Sequence, residues 1–250
     1  MMLLEVIATS AEDCATAQAA GANRIELCAG LEVGGLTPSA GLLAAARAAT
    51  HLPLMAMLRP RSGGFCYSAG EYATMRRDAE HALAAGADGL VFGFLCDDGT
   101  TDAARTTDFV RLAAGRETVF HRAFDVTPDP FTALQQLIDL GVTRVLTSGQ
   151  SPSALVGAAL IRRLVSQAGD RIQILPGAGI TPANVAELVR QTGATQVHAS
   201  CSGWVVDNST QARPALRFGP AASPTDGVRM LDGSCVAALR AAIAQRRATP

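Results

Sequence analysis

Hydrophobic and polar positions follow one another along the chain in a pattern that occurs four times. Each copy starts with a glycine at the end of an alanine-rich helical stretch and continues into an apolar run of strand length. The copies occupy residues 21–27, 86–92, 141–147 and 193–199. Glycine lets a helix stop and the chain reverse through a left-handed backbone. The repetition therefore predicts four equivalent junctions between a helix and a strand.

Four further strand-like runs lie between these copies, at residues 3–7, 54–58, 118–121 and 172–175. Short apolar runs thus alternate with helical patterns of roughly 10–17 residues, which is typical of βαβ units and a parallel sheet. Eight such units in 250 residues predict one α/β domain, residues 1–250, with the TIM (β/α)8 barrel fold. A doubly wound open sheet is the alternative, but it would not naturally repeat pairs of strands four times. The least regular segment, residues 204–229, is expected to form a long loop on the catalytic side of the barrel.

Composition and charge argue against several classes of partner. The formal net charge is −1, whereas nucleic-acid grooves and membrane-surface patches need clustered positive charge. All 21 basic residues are arginine, which excludes mechanisms that depend on a lysine amine. No apolar run reaches the ~18 residues of a membrane-spanning helix, and the first residues lack the pattern of a signal peptide. We therefore expect a cytosolic protein without a nucleic-acid or membrane partner. The sequence leaves the oligomeric state open, so a homo-oligomer is possible.

Strand side chains alternate between two faces, so the repeated pattern also predicts which residues enter the barrel. The outward positions, against the helices, are Ile25, Leu90, Val145 and Val197. The inward positions that follow them are Glu26, Val91, Leu146 and His198. The next inward positions, nearer the mouth, are Cys28, Gly93, Ser148 and Ser200. One interior layer thus contains a carboxylate and an imidazole, and the layer above it is small enough to leave room for a ligand.

Two glutamates are expected inside the barrel, Glu5 on the first strand and Glu26 on the second. A buried carboxylate is costly unless it has a partner. The candidate partners are the histidines and the arginines Arg24, Arg59 and Arg122. Two interpretations are open: a structural network of buried ion pairs, or an acid/base or anion-binding site at the C-terminal mouth, where TIM-barrel sites form.

Segments that follow the third and fifth strands carry further candidates. Arg59 and Arg61 precede a glycine-rich turn and could clamp a carboxylate or phosphate, or could be solvated in a surface turn. After the fifth strand, Asp125 could orient His121 or pair with Arg122, or could cap the next helix.

The turn after the seventh strand contains Gly177 and Gly179 and precedes a helix start at Thr181. Backbone N–H groups at this turn could hold an anion together with the helix N-terminus, or the residues could form a plain tight turn. Ser148, which follows the sixth strand, is grouped with these anion-binding candidates.

Six stretches of the chain resemble, in the same order, signature stretches of the CutC family of copper homeostasis proteins. They are RIELC (24–28), GGLTPS (34–39), RPR (59–61), FCYS (65–68), FHRAFD (120–125) and LTSG (146–149). The resemblance covers almost the whole chain and implies a TIM barrel, in agreement with the repeat. It also implies a cytosolic protein with a role in copper tolerance that binds Cu(I) through cysteine thiols, which suit this soft ion.

In family members with proposed copper cysteines, these residues end the first and second strands. The second corresponds to Cys28, but the first falls on Ile7, which cannot bind a metal. Because Cu(I) usually needs at least two soft ligands, Cys201 or Cys66 is the candidate replacement for the missing thiol.

Two hypotheses of different classes follow. The first is a copper-handling protein in which Cys28 and either Cys66 or Cys201 bind Cu(I). The second is a barrel enzyme that performs acid/base chemistry on a small anionic molecule. Its candidate proton-transfer residues are Glu5, Glu26, His121, Asp125 and His198. Its candidate anion-binding residues are Arg59, Arg61, Arg122, Ser148, Gly177 and Gly179.

Overall fold

A computed structural model describes residues 2–219 and 227–245 of the chain. Eight parallel strands form the central sheet of the described chain: β1 (Leu3–Ala8), β2 (Arg24–Leu27), β3 (Leu54–Met57), β4 (Gly89–Phe92), β5 (Glu117–Phe120), β6 (Arg144–Thr147), β7 (Gln173–Pro176) and β8 (Gln196–Ala199). The α-helices are α1 (Ala11–Ala19), α2 (Ala40–Ala49), α3 (Ala69–Ala84), α4 (Ala103–Leu112), α5 (Pro130–Asp139), α6 (Ala158–Ala168), α7 (Val185–Thr192) and α8 (Gly233–Gln245). None of these helices is long and apolar enough to cross a membrane.

The strand order confirms the predicted TIM barrel. Neighbouring strands run in the order β7-β6-β5-β4-β3-β2-β1-β8, so consecutive strands are adjacent and the last pairs with the first. At the remaining seam, the side-chain amide of Gln196 on β8 donates to that of Gln173 on β7 at 3.2 Å. The sheet therefore curls into a nearly closed ring with helices outside it.

The predicted alternation of faces is also confirmed. The outward residues Ile25, Leu90, Val145 and Val197 are fully buried between the strands and the helices. A separate apolar cluster fills the interior of the barrel: Cys28, Met55, Met57, Val91, Val119, Leu146 and Leu175. The polar residues of the strands therefore project into a small, tightly packed interior.

Side-chain caps determine where several helices begin, and hence where the loops of the barrel mouth end. The hydroxyls of Ser10, Ser39 and Ser68 each accept a hydrogen bond from a backbone N–H in the first turn of α1, α2 and α3. Asp102 and Asp129 cap α4 and α5 in the same way. Such caps satisfy N–H groups that have no partner within the helix, so the loop ends are set by local sequence.

The segment between β8 and α8 is more ordered than expected. Strand β9 (Ser202–Val205) pairs antiparallel with β10 (Val228–Leu231), with Val205 opposite Val228. The expectation of a plain loop over residues 204–229 is therefore wrong at both ends, because the valines there favour extended pairing. Residues 220–226, between these strands, lie outside the described ranges.

Gly89, the first residue of β4, faces an interior that has no room for a side chain. A Cβ at this position would lie 2.6 Å from the carbonyl oxygen of Glu117 and 2.7 Å from the sulfur of Met55. We expect Gly89→Ala to lower the free energy of unfolding by about 1–3 kcal/mol, the usual cost of overpacking a rigid core, as measured by urea denaturation.

Gly203→Ala is the matched control, because a Cβ on this exposed residue of β9 would meet no atom within 4 Å. A Gly89→Ala protein as stable as Gly203→Ala would show that the barrel interior is not tightly packed at β4.

Candidate functional site

A cavity of about 560 Å³ opens at the carboxyl ends of the barrel strands. Its ionisable lining residues include Glu26, Arg59, His121, Arg122, Asp125 and His198. Three of these side chains keep a buried polar atom without a hydrogen-bond partner in the described chain: Oε2 of Glu26, Nε of Arg59 and Nε2 of His121. Because buried polar atoms are normally paired, these three mark the cavity as a candidate binding site.

Glu5 lies beneath this cavity and joins two buried side chains. One carboxylate oxygen pairs with Arg24, and the other accepts a hydrogen bond from Nδ1 of His198 at 2.7 Å. Arg24 also donates to the side chain of Gln196 at 2.8 Å. Burial alone would raise the pKa of Glu5, but Arg24 and His198 lower it to about 2. Glu5 is therefore a permanent anion that fixes the orientation of His198.

Glu26 sits on the other side of the same imidazole. Its Oε1 lies 3.9 Å from Nε2 of His198, and burial together with the charge of Glu5 raises the pKa of Glu26 to about 7. Burial would lower the pKa of His198, but the carboxylates of Glu26 and Glu5 raise it above its usual value. Glu26 and His198 thus compete for a proton near neutral pH, which suits general acid/base chemistry.

The structure therefore contains both a structural ion pair and a carboxyl group at the cavity, the two interpretations that the sequence left open for the buried glutamates. Glu5 forms a structural ion pair with Arg24, and Glu26 has no arginine partner among the ion pairs of the described chain. Deeper in the barrel, fully buried Arg144 pairs with Glu117 at 2.9 Å and with Gln173. The ion-pair network lies at the base of the barrel, and the unpaired carboxyl group lies at the cavity.

The same three residues, Glu5, Glu26 and His198, are the described residues whose donor atoms cluster closely enough to hold a metal ion, within 4.8 Å of one another. Two carboxylates and an imidazole suit borderline or hard divalent ions, whereas Cu(I) prefers sulfur. Glu5 is already committed to Arg24 and His198. This cluster therefore does not fit Cu(I).

Arg59 and His121 form a second polar region at the end of β3 and β5. The guanidinium of Arg59 donates to the carbonyls of Val33, Gly35 and Gly63, and it forms no ion pair within the described chain. Nδ1 of His121 accepts the N–H of Ala123 at 3.1 Å. Burial and the nearby Arg59 charge lower the pKa of His121 to about 3, so its imidazole is neutral. His121 is a candidate hydrogen-bond donor, and its pKa is too low for it to act as a base near neutral pH.

Asp125 lines the cavity, but its oxygens are occupied. They accept hydrogen bonds from the side chain of Thr147, from the backbone N–H and hydroxyl of Ser148, and from Nε of Arg122 at 2.8 Å. Arg122 also donates to the Ser148 hydroxyl at 3.0 Å. Asp125 therefore orients Arg122 and the turn after β6. This agrees with the expectation that Asp125 pairs with Arg122, and the next helix is capped by Asp129 instead. Ser148 supports this network and does not line the cavity.

The three remaining anion-binding candidates differ in where they lie relative to the cavity. Arg61 lies outside the cavity, paired with the helix-capping Glu71. The N–H of Gly177 is committed to the carbonyl of Thr147 at 2.9 Å, and a Cβ on Gly177 would lie 2.6 Å from Leu146 and 3.3 Å from His198. Gly177 therefore makes room for the His198 ring and does not present its N–H to an anion. Gly179 lines the cavity as expected.

The structure does not bring the three candidate copper thiols together. Cys28 lines the cavity beside Ile7, but Cys66 is exposed and donates to Asp97 at 3.1 Å. Cys201 faces outward and lies 2.9 Å, sulfur to sulfur, from Cys235. Neither thiol takes the place of the one missing at Ile7, because each belongs to a different part of the fold.

Two of the cavity-lining residues that sequence reasoning overlooked are Met57 and Phe65. Met57 precedes Arg59 by two residues on β3, so the alternation of faces could have identified it. Phe65 follows the glycine-rich turn, and its ring centroid lies 5.0 Å from that of His121 and 5.3 Å from Cζ of Arg59. The pattern of the loop contains no signal for that position.

Comparison with known proteins gives one consistent result. The model of the CutC family matches residues 2–203. A family protein CutC of Treponema denticola is 50% identical over 223 residues, which cover 89% of this chain and 91% of the relative. The human copper homeostasis protein cutC homolog is 44% identical over 218 residues, covering 85% of this chain and 80% of the relative. The crystal structure of CutC from Streptococcus agalactiae superposes with a TM-score of 0.77 at 34% identity, covering 80% of this chain and 99% of that chain.

The raised pKa of Glu26 makes the stability of the protein depend on pH. The folded state binds this proton more tightly than the unfolded chain, so stability is lost as the pH rises from about 4.5 towards 7. Glu26→Gln removes this loss. We expect the variant to gain on the order of 1–3 kcal/mol relative to the wild type between pH 5 and pH 8, as measured by urea unfolding at both pH values.

Glu5→Gln is the contrasting variant, because the pKa of Glu5 is lowered and its charge stabilises the fold above about pH 4.5. Its loss leaves Arg24 buried without a counter-charge, and we expect a cost of roughly 3–5 kcal/mol at pH 7. If Glu26→Gln has the same effect as Glu5→Gln, the two glutamates do not differ as their contacts indicate.

Proposed function

The chain belongs to the CutC family, and from the chemistry of its barrel mouth we propose that it is an enzyme that transfers protons on a small anionic substrate. The observation that carries the proposal is the buried, unpaired Oε2 of Glu26 beside His198 at the wall of the cavity. A polar atom without a partner costs stability, and such costs are concentrated at functional sites.

Glu26 and His198 are the catalytic residues in this proposal, because both line the cavity. The pKa of Glu26 is raised to about 7, so near neutral pH the carboxyl group can either give or accept a proton. Groups with a pKa near the working pH are the most effective general acids and bases, contributing typically ~10²–10⁴-fold in rate. His198, whose Nε2 lies 3.9 Å from Oε1 of Glu26, is the second proton donor or acceptor for the same substrate.

Glu5 is a positioning residue, since it does not line the cavity. Its hydrogen bond to Nδ1 of His198 leaves Nε2 facing Glu26, and its permanent charge favours the protonated imidazole. A buried carboxylate that orients a histidine in this way is a recurrent device in acid/base sites.

Arg59 and Arg122 support an anionic substrate. Arg59 is buried and has no counter-charge in the described chain, so a bound anion would supply one. Arg122 is held at the rim by Asp125. A small cavity with convergent cations and an acid/base pair favours proton transfer on a bound organic anion over a purely structural role.

The test is solvent deuterium exchange. The wild-type protein is incubated in D2O with a panel of small hydroxy acids, oxo acids and phosphate esters, and loss of C–H signals is followed by proton NMR. We expect exchange or turnover of at least one compound, reduced by about 10²-fold or more in Glu26→Gln and in His198→Gln, because each removes one proton-transfer group.

Glu12→Gln and His81→Gln are the matched controls, since both residues are exposed on helices outside the cavity. The proposal fails if no compound reacts, or if the reaction proceeds equally well in Glu26→Gln and His198→Gln.

Copper handling is the second candidate, and one observation favours it. Two sulfur-containing side chains, Cys28 and Met57, line the cavity and flank Gly35, whose Cβ would lie 3.5 Å from the sulfur of Cys28 and 3.4 Å from the terminal methyl of Met57. A thiol and a thioether are donors that Cu(I) accepts. The human relative is named for copper homeostasis. The six cysteines are unpaired thiols, which supports a location in the reducing cytoplasm.

An anaerobic Cu(I) titration against a chromogenic chelator tests this role. Burial, followed by the nearby negative charges, raises the pKa of the Cys28 thiol, so Cu(I) must displace a proton to bind and affinity should increase with pH. We expect stoichiometric binding that is lost in Cys28→Ala and weakened in Met57→Leu.

Cys66→Ala removes an exposed thiol outside the cavity and is the control for incidental thiol binding. Binding that is unaffected by Cys28→Ala, or that falls equally in Cys66→Ala, contradicts a copper site in the barrel.

A further inference from the structure

We propose that the side of the cavity formed by Arg59, Phe65 and His121 is a carboxylate subsite, and that the substrate is an organic monocarboxylic acid whose reacting group lies several bonds from that carboxylate. The inference rests on the proposed function for the reacting end of the substrate. The carboxylate subsite itself is argued from contacts that do not involve Glu26 or His198.

The register of the sheet places Arg59 and His121 at one level of the barrel. Met57 is opposite Val91 on β4, and extending this register by two residues beyond the end of β3 places Arg59 level with Gly93. Phe92 is opposite Phe120 on β5, so His121 is also next to Gly93. The three positions therefore form one rung across neighbouring strands, and glycine occupies the middle of it.

Gly93 gives this rung its shape. A Cβ at residue 93 would lie 2.5 Å from two ring atoms of His121, so the imidazole occupies the space above the glycine. Phe65 packs against both side chains, with its ring centroid 5.0 Å from that of His121 and 5.3 Å from the guanidinium carbon of Arg59. The two polar side chains are thus held against a shared apolar surface.

Both polar side chains of the rung offer an unused donor. Nδ1 of His121 accepts the N–H of Ala123, so the neutral ring carries its proton on Nε2, which has no acceptor. Nε of Arg59 carries a proton and also has no acceptor in the described chain. Two N–H donors, one of them cationic, match the two oxygens of a carboxylate.

The charges around the cavity favour a monoanion over a phosphate dianion. Arg59 supplies one positive charge without a partner, whereas Arg122 is already paired with Asp125. Glu5 and Asp125 lie close to the cavity and are each already neutralised by an arginine, so no unpaired arginine of the cavity lining remains for a second negative charge on the ligand. Desolvating a charge without a partner is costly, so a singly charged ligand fits this balance better.

The backbone positions of the two polar regions are well separated along the barrel. Met55 is the strand partner of Glu26, and Arg59 follows it by four residues, two of them beyond the end of β3. Four residues of strand extend over about 13 Å at ~3.3 Å per residue. The side chains of both regions line one cavity of about 560 Å³, which has room for an acid whose reacting group lies several bonds from its carboxylate.

Calorimetric titration tests the subsite independently of turnover. The probes are gluconate and 4-hydroxybutyrate, acetate as a short carboxylate, sorbitol as an uncharged analogue of gluconate, and inorganic phosphate. We expect a longer hydroxy acid to bind more tightly than acetate and phosphate, and sorbitol not to bind. Arg59→Gln and Arg59→Lys should each weaken that binding by about tenfold or more, because the Nε–H donor is lost.

His121→Asn should also weaken binding, and it is chosen because an asparagine oxygen can still accept the Ala123 N–H while the Nε2–H is removed. Arg61→Gln is the matched control, since this arginine lies outside the cavity two residues along the same loop. Circular dichroism and thermal unfolding establish that each variant is folded.

The inference is overturned if phosphate binds more tightly than the carboxylates, if no carboxylate binds, or if Arg59→Gln and Arg61→Gln have equal affinity for the hydroxy acid. Its failure is distinguishable from that of the proposed function. Carboxylate binding that depends on Arg59 without any proton exchange contradicts only the enzyme. If proton exchange is lost in Glu26→Gln, but Arg59→Gln binds the substrate as tightly as the wild type, only the subsite is contradicted.

Discussion

The buried negative charge of Glu5 is the interaction on which the chemistry of this barrel depends. Arg24 below it and His198 beside it keep the carboxylate ionised, although it is fully removed from water. That fixed charge orients the imidazole and keeps it basic, and it raises the cost of a second charge on Glu26. Burial, together with this fixed charge, makes Glu26 a carboxyl group that titrates near neutral pH.

Two glycines determine where the histidine side chains of the cavity lie. Gly93 makes space for His121 and Gly177 makes space for His198, and in both cases a Cβ would overlap a neighbouring side chain. Without these glycines the two imidazoles would be displaced from the mouth of the barrel. The result is an asymmetric cavity, with an acid/base pair beside β1 and β2 and a cationic rung across β3 to β5. Such asymmetry is suited to a ligand with two different ends.

The place of the chain in the CutC family leaves its chemistry open between sulfur and oxygen donors. The cavity contains donors of both kinds, but they differ in whether their polar atoms already have partners in the protein. Cys28 is a buried protonated thiol with a thioether for a neighbour, and the other cysteines belong elsewhere in the fold. Glu26, Arg59 and His121 instead line the same cavity, and each has one buried polar atom without a partner in the described chain. The unpaired atoms are the stronger indication of a ligand, because a buried polar atom without a partner costs stability.

Local pattern was sufficient for the fold and for the inward faces of the strands. The repeated glycine junctions led to the barrel, and the two-residue period placed Glu26 and His198 inside it and Val197 outside it. These features depend on neighbouring residues only: side chains alternate along any strand, and a helix ends where the backbone can reverse. The same period places Cys201 on the outer face with Val197, and Cys201 lies there against Cys235.

Partnership between distant residues was decided by the tertiary structure alone. Arg59 and Arg61 are two residues apart and chemically identical, yet Arg59 lies at the cavity without a carboxylate partner in the described chain and Arg61 is bound to Glu71. Glu5 and Glu26 are both buried carboxylates, but Arg24 pairs with only one of them. A pKa, a free donor or an occupied oxygen depends on which groups meet across the barrel, as residues 5 and 198 do. The sequence determined which side chains enter the barrel, and the closure of the ring determined which of them are left free to act.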